Sequence, residues 1–234
     1  MTTHRFYTGT ISDKSGPLAL TEHVWVNDPL FVNQISRVLR MRLGEKIVLF
    51  DGRGDERLYE ISKIEPSSIG LQRVTDITPV YPKRKLLLAF SMLKKDKNDW
   101  VLQKCTELGV SHFLPILSDR TEKTGFDGER AMKIVIEAAE QCGRHDIPLV
   151  SEPQQLREVI GEYQQHMPIY VADMGHEKPV ALDVDQAMVL IGPEGGWSDT
   201  ERQYFTEKDL QSIGLGDFTL RAETACIAAI RELL

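Results

Sequence analysis

The sequence predicts an α/β protein in two parts: a small β-barrel over residues 1–76 and, over residues 77–234, a parallel sheet with helices on its faces. Three observations carry this. The first part holds short β-rich pieces separated by Gly, Asp and Ser turns. The second alternates aliphatic runs with helical patterns, as strands joined by crossover helices must. Between them "TPVYPKRK" supplies two prolines and a basic run, the composition of a linker.

The strands of the first part are "KIVLFDG", "RLYEISKI" and "SIGLQRV". "PLFVNQISRVLRM" is the exception, because Leu30, Ile35, Val38 and Leu39 recur at roughly helical spacing. In the second part "KLLLAFSML" is a buried strand, and "NDWVLQKCTELGV" a helix with Trp100, Val101, Cys105 and Leu108 on one face and Gly109 as its stop. "SHFLPILS" is a strand, and "GERAMKIVIEAAEQCG" a longer helix with apolar Met132, Val135, Ile136 and Ala139. The strands "PIYVADM" and "AMVLIG", the helix "SDTERQYFTEKDL", a short strand "DFTL" and a terminal helix "TACIAAIRELL" complete the order. Small residues (Ala222, Ala225, Cys226, Ala228 and Ala229) let the last helix approach a neighbour closely.

Chemistry is concentrated in "VLIGPEGGWSDTE". An aliphatic strand breaks into a loop nearly free of side chains except Glu194, and a helix restarts at Ser198, an N-cap whose capping box closes on Glu201. Glycines let a ligand approach backbone closely, although a plain Gly-rich turn has the same pattern. The loop has neither the GKS or GKT ending of a P-loop nor the spacing of a dinucleotide fingerprint. Glu194 would repel a phosphate and tolerate a cationic or neutral cofactor. In parallel sheets ligands sit beyond the carboxyl ends of the strands, and both this loop and "RAET" fall at that end. Arg221 and Glu223 start the terminal helix, where the dipole favours a carboxylate; pairing with nearby charges is their structural alternative.

Composition narrows the classes. With 234 residues, 41% hydrophobic and 27% charged, the chain is of globular type. No apolar run is long enough to span a bilayer, and "MTTHRFYTGT" lacks a signal-peptide core, so a cytoplasmic protein is expected. Cys105, Cys142 and Cys226 lie far apart, consistent with buried reduced thiols, and without HExxH or a Cys/His cluster no metal is expected. The net charge of −7 hides basic patches. Arg37, Arg40, Arg42 and Lys46 form one, and residues 83–104 carry seven Lys or Arg, among them Lys94, Lys95 and Lys97, against two acids. Such patches bind phosphates while the remainder stays acidic; the competing reading is a solvated face.

Five motifs, "RVLRMRLGEKIVLFDG", "LQKCTELGV" with "LPILSDRT", "EAAEQCGRHDIP", "LIGPEGGWSDTE" and "LGDFTLRAETA", together resemble the RsmE family, 16S ribosomal RNA (uracil-N3)-methyltransferases of the SPOUT superfamily. The resemblance runs from Arg5 to the C-terminus in matching order; Trp197 stands where a smaller apolar residue is expected, and Gln103 where Glu or Lys is common. It implies a PUA-like RNA-binding barrel over residues 1–76. It also implies a SPOUT domain over residues 77–234 with a trefoil knot, S-adenosylmethionine as cofactor, a homodimer, and 16S ribosomal RNA of the small ribosomal subunit as partner. The implied cofactor loops are Gly192, Pro193, Glu194, Gly195 and Gly196, and Leu215, Gly216, Leu220, Arg221, Glu223 and Thr224.

The implied reaction is attack of uracil N3 on the methyl of a sulfonium. It needs the N3 proton removed and charge on O2 and O4 stabilised; Arg221 and Glu223 are the catalytic candidates. Arg37, Arg40, Arg42, Lys94, Lys95 and Lys97 are the RNA-binding candidates. Two rivals stand beside this reading: a SPOUT methyltransferase for another RNA nucleotide, and a non-catalytic ribosome-assembly RNA-binding factor, which would bind no cofactor.

Overall fold

The computed structural model describes residues 3–13, 16–122, 125–176 and 184–234. The chain forms two compact units, Met1–Tyr81 with Ala139–Ile147, and Pro82–Ala138 with Pro148–Leu234.

The first unit contains β1 (His4–Tyr7), β2 (Ser12–Asp13), β3 (Gly16–Pro17), β4 (His23–Val26), α1 (Pro29–Asn33), β5 (Lys46–Phe50), β6 (Glu56–Glu65) and β7 (Ser68–Asp76). Its main sheet runs β1-β5-β6-β7-β4, antiparallel except for the β1/β5 pair. Alternation sends one face inward: Val24 and Val26 of β4 are buried while His23 and Trp25 are exposed, and Ile47, Leu49, Tyr59, Ile61, Ile69 and Leu71 fill the same core. Register shifts between Leu58 and Tyr59 and between Ile61 and Lys63 mark bulges in β6, which strengthen the local twist. Asp28 caps α1, its Oδ1 accepting from the N–H of Leu30 and of Phe31 at 2.9 Å, with Pro29 at the first helical position.

Helical structure in "PLFVNQISRVLRM" is present, but its buried face differs from the expected one. Leu30 and Val38 are 79% and 65% exposed, whereas Phe31, Val32 and Ile35 are buried. Leu30 lies off the face that Phe31, Val32 and Ile35 set at ordinary helical spacing, and a π-helical turn over Gln34–Val38, with its wider winding, shifts Val38 out of phase. The 139–147 segment is anchored in this unit by buried polar groups. His145 is fully buried; its Nδ1 lies 3.0 Å from Glu56 Oε2, and its Nε2 accepts the Gly54 N–H at 2.9 Å.

The second unit contains β8 (Lys85–Ser91), α2 (Lys95–Glu107), β9 (Val110–Leu117), α3 (Gly128–Cys142, its last residues in the first unit), β10 (Leu149–Val150), β11 (Gln154–Gln155), α4 (Leu156–Tyr163), β12 (Ile169–Ala172), β13 (Gln186–Ile191), α5 (Asp199–Glu207), β14 (Gln211–Ile213) and α6 (Ala222–Leu233). Its sheet runs β10-β9-β8-β13-β12-β14, with β11 also on β9, and every pairing is parallel. Six consecutive residues of β8 after Lys85 are buried, as are Ala187 to Ile191 of β13, which explains why both read as unbroken apolar runs. Leu87, Ala89, Leu114, Met188 and Leu190 face a core closed by Leu156, Val159 and Ile160 of α4 and by Trp197 and Phe205. α6 packs on α2 and over β8 and β13.

Three further expectations are corrected. Trp100 is 55% exposed: the buried side of α2 is Asn98, Val101, Leu102, Cys105 and Thr106, one helical stripe to which position 100 does not belong. "DFTL" is not a strand; residues 217–220 are loop, and the edge strand is Gln211–Ile213 upstream of it. Cys142, at the end of α3, is exposed rather than buried. Burial pushes the Cys105 and Cys226 thiols well up, so both stay protonated.

Candidate functional site

The chain leaves β8 through α2 toward β9 on one side, and leaves β13 through α5 toward β14 on the other. The neighbours β8 and β13 therefore flank the point where the winding reverses, the place where open parallel sheets leave a crevice beyond their carboxyl ends. Two cavities open there. The first, about 490 Å³, lies beyond β13, β12 and β14, lined by residues 192–197 after β13, Ala172 to Met174 at the end of β12, and the loop through Leu215, Gly216 and Leu220 after β14. Its size is within the ~300–1,000 Å³ of small-molecule sites.

The stretch 192–196 of its wall holds three glycines, and the surroundings of two of them explain why. Gly196 has φ +68° and its N–H donates to Pro193 O at 2.8 Å, closing a turn in the left-handed region. A Cβ on Gly192 would stand 3.0 Å from Cε2 of Trp197. That indole is 2% exposed, donates from Nε1 to Ala172 O at 3.0 Å, and meets Phe205 edge-on at 5.1 Å. Trp197 thus ties the end of β12 to the loop after β13. The capping box is formed: Ser198 Oγ accepts the Glu201 N–H at 3.1 Å, and Glu201 Oε2 accepts the Ser198 N–H at 2.7 Å. Buried Glu201 also accepts the Asp119 N–H at 2.9 Å, and Ser198 Oγ donates to Asp119 Oδ2, so α5 holds the loop after β9 as well.

A second cavity of about 680 Å³ lies beyond β9, β8 and β13, lined by Met92, Lys94, Lys97, residues 119–122, Glu194 and Gly195. The loop after β13 is the wall between the two. Lys97 Nζ lies 3.1 Å from Glu194 Oε1 and 3.3 Å from Glu223 Oε2, a trio with one net negative charge. The hydrogen bond from Lys97 to Glu194 holds the Lys97 ammonium above its ordinary pKa. Burial pushes the Glu194 carboxyl up, but its own backbone N–H and the cations Lys97 and Lys94 outweigh this, and it sits below the usual range.

Of the expected cofactor residues, Gly192, Pro193, Glu194, Gly195, Gly196, Leu215, Gly216, Leu220 and Arg221 line the first cavity. Glu223 lies in the first turn of α6 against Lys97, and Thr224 is exposed beside it; neither lines the cavity. Arg221 is exposed and is the N-cap residue of α6. Lys94 is exposed at the start of α2; Lys95 opens that helix, and its side chain lies outside the described residues. In the first unit Arg37, Arg40 and Arg42 are exposed, Arg40 with φ +52°, and none has a carboxylate in ion-pair range among the described residues. Sequence reasoning missed Arg120, whose Nη1 donates to Gly195 O at 2.8 Å. A lone Arg in a polar loop gives no periodic or motif signal.

The first cavity suits a nucleoside with a cationic tail. Backbone groups offer donors and acceptors, exposed Met174 and Phe218 among its lining residues offer apolar surface to a flat base, and the carboxylate-rich trio borders it.

Residues 81–234 match the RNA methyltransferase domain family, and residues 35–71 the RNA methyltransferase PUA domain family. The chain is 30% identical to the ribosomal RNA small subunit methyltransferase E of Aquifex aeolicus, over 83% of this chain and 89% of that protein. It is similar to the crystal structure of the Neisseria gonorrhoeae enzyme of that name bound to S-adenosyl methionine, with a TM-score of 0.84, 29% identity, and coverage of 98% and 96% of the two chains. A putative methyltransferase of Legionella pneumophila in complex with the cofactor SAM aligns with a TM-score of 0.84 and 26% identity, over 100% of this chain and 97% of that one.

Proposed function

We propose, starting from the fact that the chain belongs to the ribosomal RNA small subunit methyltransferase E family, that it methylates 16S ribosomal RNA of the small subunit, at N3 of a uridine, using S-adenosylmethionine. The observation that carries this reading is the glycine-lined cavity beyond β13, β12 and β14, in a chain aligned nearly end to end with relatives that bind this donor. When bound, the donor supplies an electrophilic methyl carbon on a sulfonium.

The chain's own groups do the rest. Loop residues 192–196 and 215–220 hold the nucleoside by backbone contacts, and the Lys97–Glu194–Glu223 trio provides a negative field for the positive sulfur. Arg221 lines the donor cavity, and in this reading it stabilises charge on the uracil carbonyls. Glu223 acts with it through Lys97. The base must be unpaired or flipped to expose N3, which lies on the Watson–Crick edge. Arg37, Arg40, Arg42, Lys94 and Lys95 contact RNA phosphates; Lys97 contributes from within its carboxylate pair. The PUA-like barrel, the trefoil knot, the homodimer and the cytoplasmic location belong to the same proposal and rest on family membership.

The test incubates the protein with labelled donor and small subunits lacking the modification, and maps the product by mass spectrometry. The expected product is 3-methyluridine in 16S RNA. Label on another nucleotide would replace the target, and donor binding with no transfer to subunits would refute the reading. Charge reversal at Arg37 and Arg40 is expected to weaken RNA binding and flatten its salt slope by about two phosphate contacts.

A further inference from the structure

The second cavity shares a wall with the donor cavity. The sheet order requires this: β13 lies between β8 and β12, so its loop, residues 192–196, separates space over β9 and β8 from space over β12 and β14. Glu194 and Gly195 line both cavities. The second cavity carries the cations Lys94, Lys97 and Arg120 interspersed with the carboxylates Asp119, Glu122 and Glu194, a mixture that suits a neutral ring with alternating donors and acceptors plus a phosphate. Uracil presents O2 and O4 as acceptors on either side of one donor, N3–H.

We propose that this cavity is the site of the target uridine, with Arg120 contacting its acceptor atoms and Glu194, on the shared wall, accepting the N3 proton. This rests on the reading of the chain as a uridine N3-methyltransferase. The N3–H bond breaks toward a Glu194 carboxylate oxygen as the N3 electron pair forms the bond to the methyl carbon. The electron pair of the broken carbon–sulfur bond stays on sulfur, which becomes a neutral thioether. Both carboxylates meet Lys97, so Glu194 is chosen over Glu223 by position: Glu223 lines neither cavity and its side chain is 14% exposed, whereas Glu194 is 49% exposed and lines both. Arg120 is held in place at this wall. Its Nη1 bonds Gly195 O, and its stem packs 3.5 Å from where a Gly195 Cβ would be. The loop carrying it is fixed through Asp119 to Ser198 and Glu201.

Two measurements test this on the full chain. Uridine 5′-monophosphate is titrated without donor while backbone amide shifts are followed by NMR. Shifts at Asp119, Arg120 and Gly195 are expected, lost in Arg120→Ala and absent with 3-methyluridine 5′-monophosphate, which has no N3–H. Shifts confined to Leu215, Gly216 and Leu220 would overturn the proposal. Kinetics with unmodified small subunits and calorimetry with donor follow. Glu194→Gln is expected to lower kcat by about a hundredfold or more and, because it also removes a charge from the donor's wall, to weaken donor Kd by less than about tenfold. Arg120→Ala is expected to lower kcat/KM for subunits at unchanged donor Kd. Full activity in both variants would remove the base site and leave the methyltransferase reading intact. Donor Kd weakened more than about tenfold in both would assign these residues to the donor cavity and also overturn the proposal. A wild-type protein that binds donor and methylates no subunit would instead sink the reading beneath it.

Discussion

Replacing Gly192 with Ala isolates one contact. Gly192 is not among the glycines with left-handed φ, so the substitution adds no backbone strain of that kind; the cost comes from the new Cβ. That atom would stand 3.0 Å from Cε2 and 3.2 Å from Cδ2 of Trp197, several tenths of an ångström inside ordinary carbon contact. The indole cannot yield cheaply, being 2% exposed, hydrogen-bonded to Ala172 O and packed edge-on against Phe205. Overpacking of a fixed site costs about 1–3 kcal/mol. Relaxation must come from the backbone of residues 192–194, which is cavity wall. Denaturant unfolding is therefore expected to show a loss of about 1–3 kcal/mol, and calorimetry a donor affinity weakened by about 5- to 150-fold if the strain relaxes wholly into the wall. The double variant with Trp197→Phe supplies the control, since a smaller ring makes room. It should be less destabilised than the sum of the single variants by about 1 kcal/mol. Gly192→Ala with stability within about 0.5 kcal/mol of the parent and unchanged donor affinity would refute the reasoning.

Other outcomes follow from the same geometry. Gly196→Ala, which forces an L side chain to φ +68° with no atom within 4 Å of its Cβ, should cost about 1 kcal/mol through backbone strain alone; a thermal melt equal to the parent would contradict this. Ser198→Ala removes the cap of α5 and a partner of Asp119, and should lower stability by about 1–2 kcal/mol in urea unfolding. Burial, with Lys85 nearby, lowers the pKa of His112, whose Nε2 lies 2.7 Å from Ser151 Oγ. Its stability contribution is present above its unfolded value of 6.5 and is lost as pH falls through the lower folded value, so His112→Gln should flatten the acid limb of a stability–pH curve. The lowered Glu194 carboxyl and the raised Lys97 ammonium bound the window of their ion pair: it is lost as pH falls through the acid range below an ordinary Glu, or rises above an ordinary Lys. Donor affinity measured by calorimetry should hold between these limits and fall below the acid one.

The chain's local grammar was legible without coordinates. Buried parallel strands announce themselves as unbroken apolar runs, so β8 and β13 were plain, and the capping box from Ser198 to Glu201 marked where α5 begins, because orphaned N–H groups admit few partners. The bare loop between them pointed to a ligand, because backbone approach needs glycine. Other features had no one-dimensional trace. The π-helical turn over Gln34–Val38 moved Val38 out of the core that its spacing assigned it. That Glu194 lines both cavities and Glu223 neither could not be read from order along the chain. Lys97, Glu194 and Glu223 meet only because β8 and β13 are sheet neighbours with α6 packed over them, and Arg120 reaches Gly195 for the same reason. Residue order determines what each segment prefers locally; the pairing of distant strands sets which charges share a low-dielectric space, and that is where their chemistry is decided.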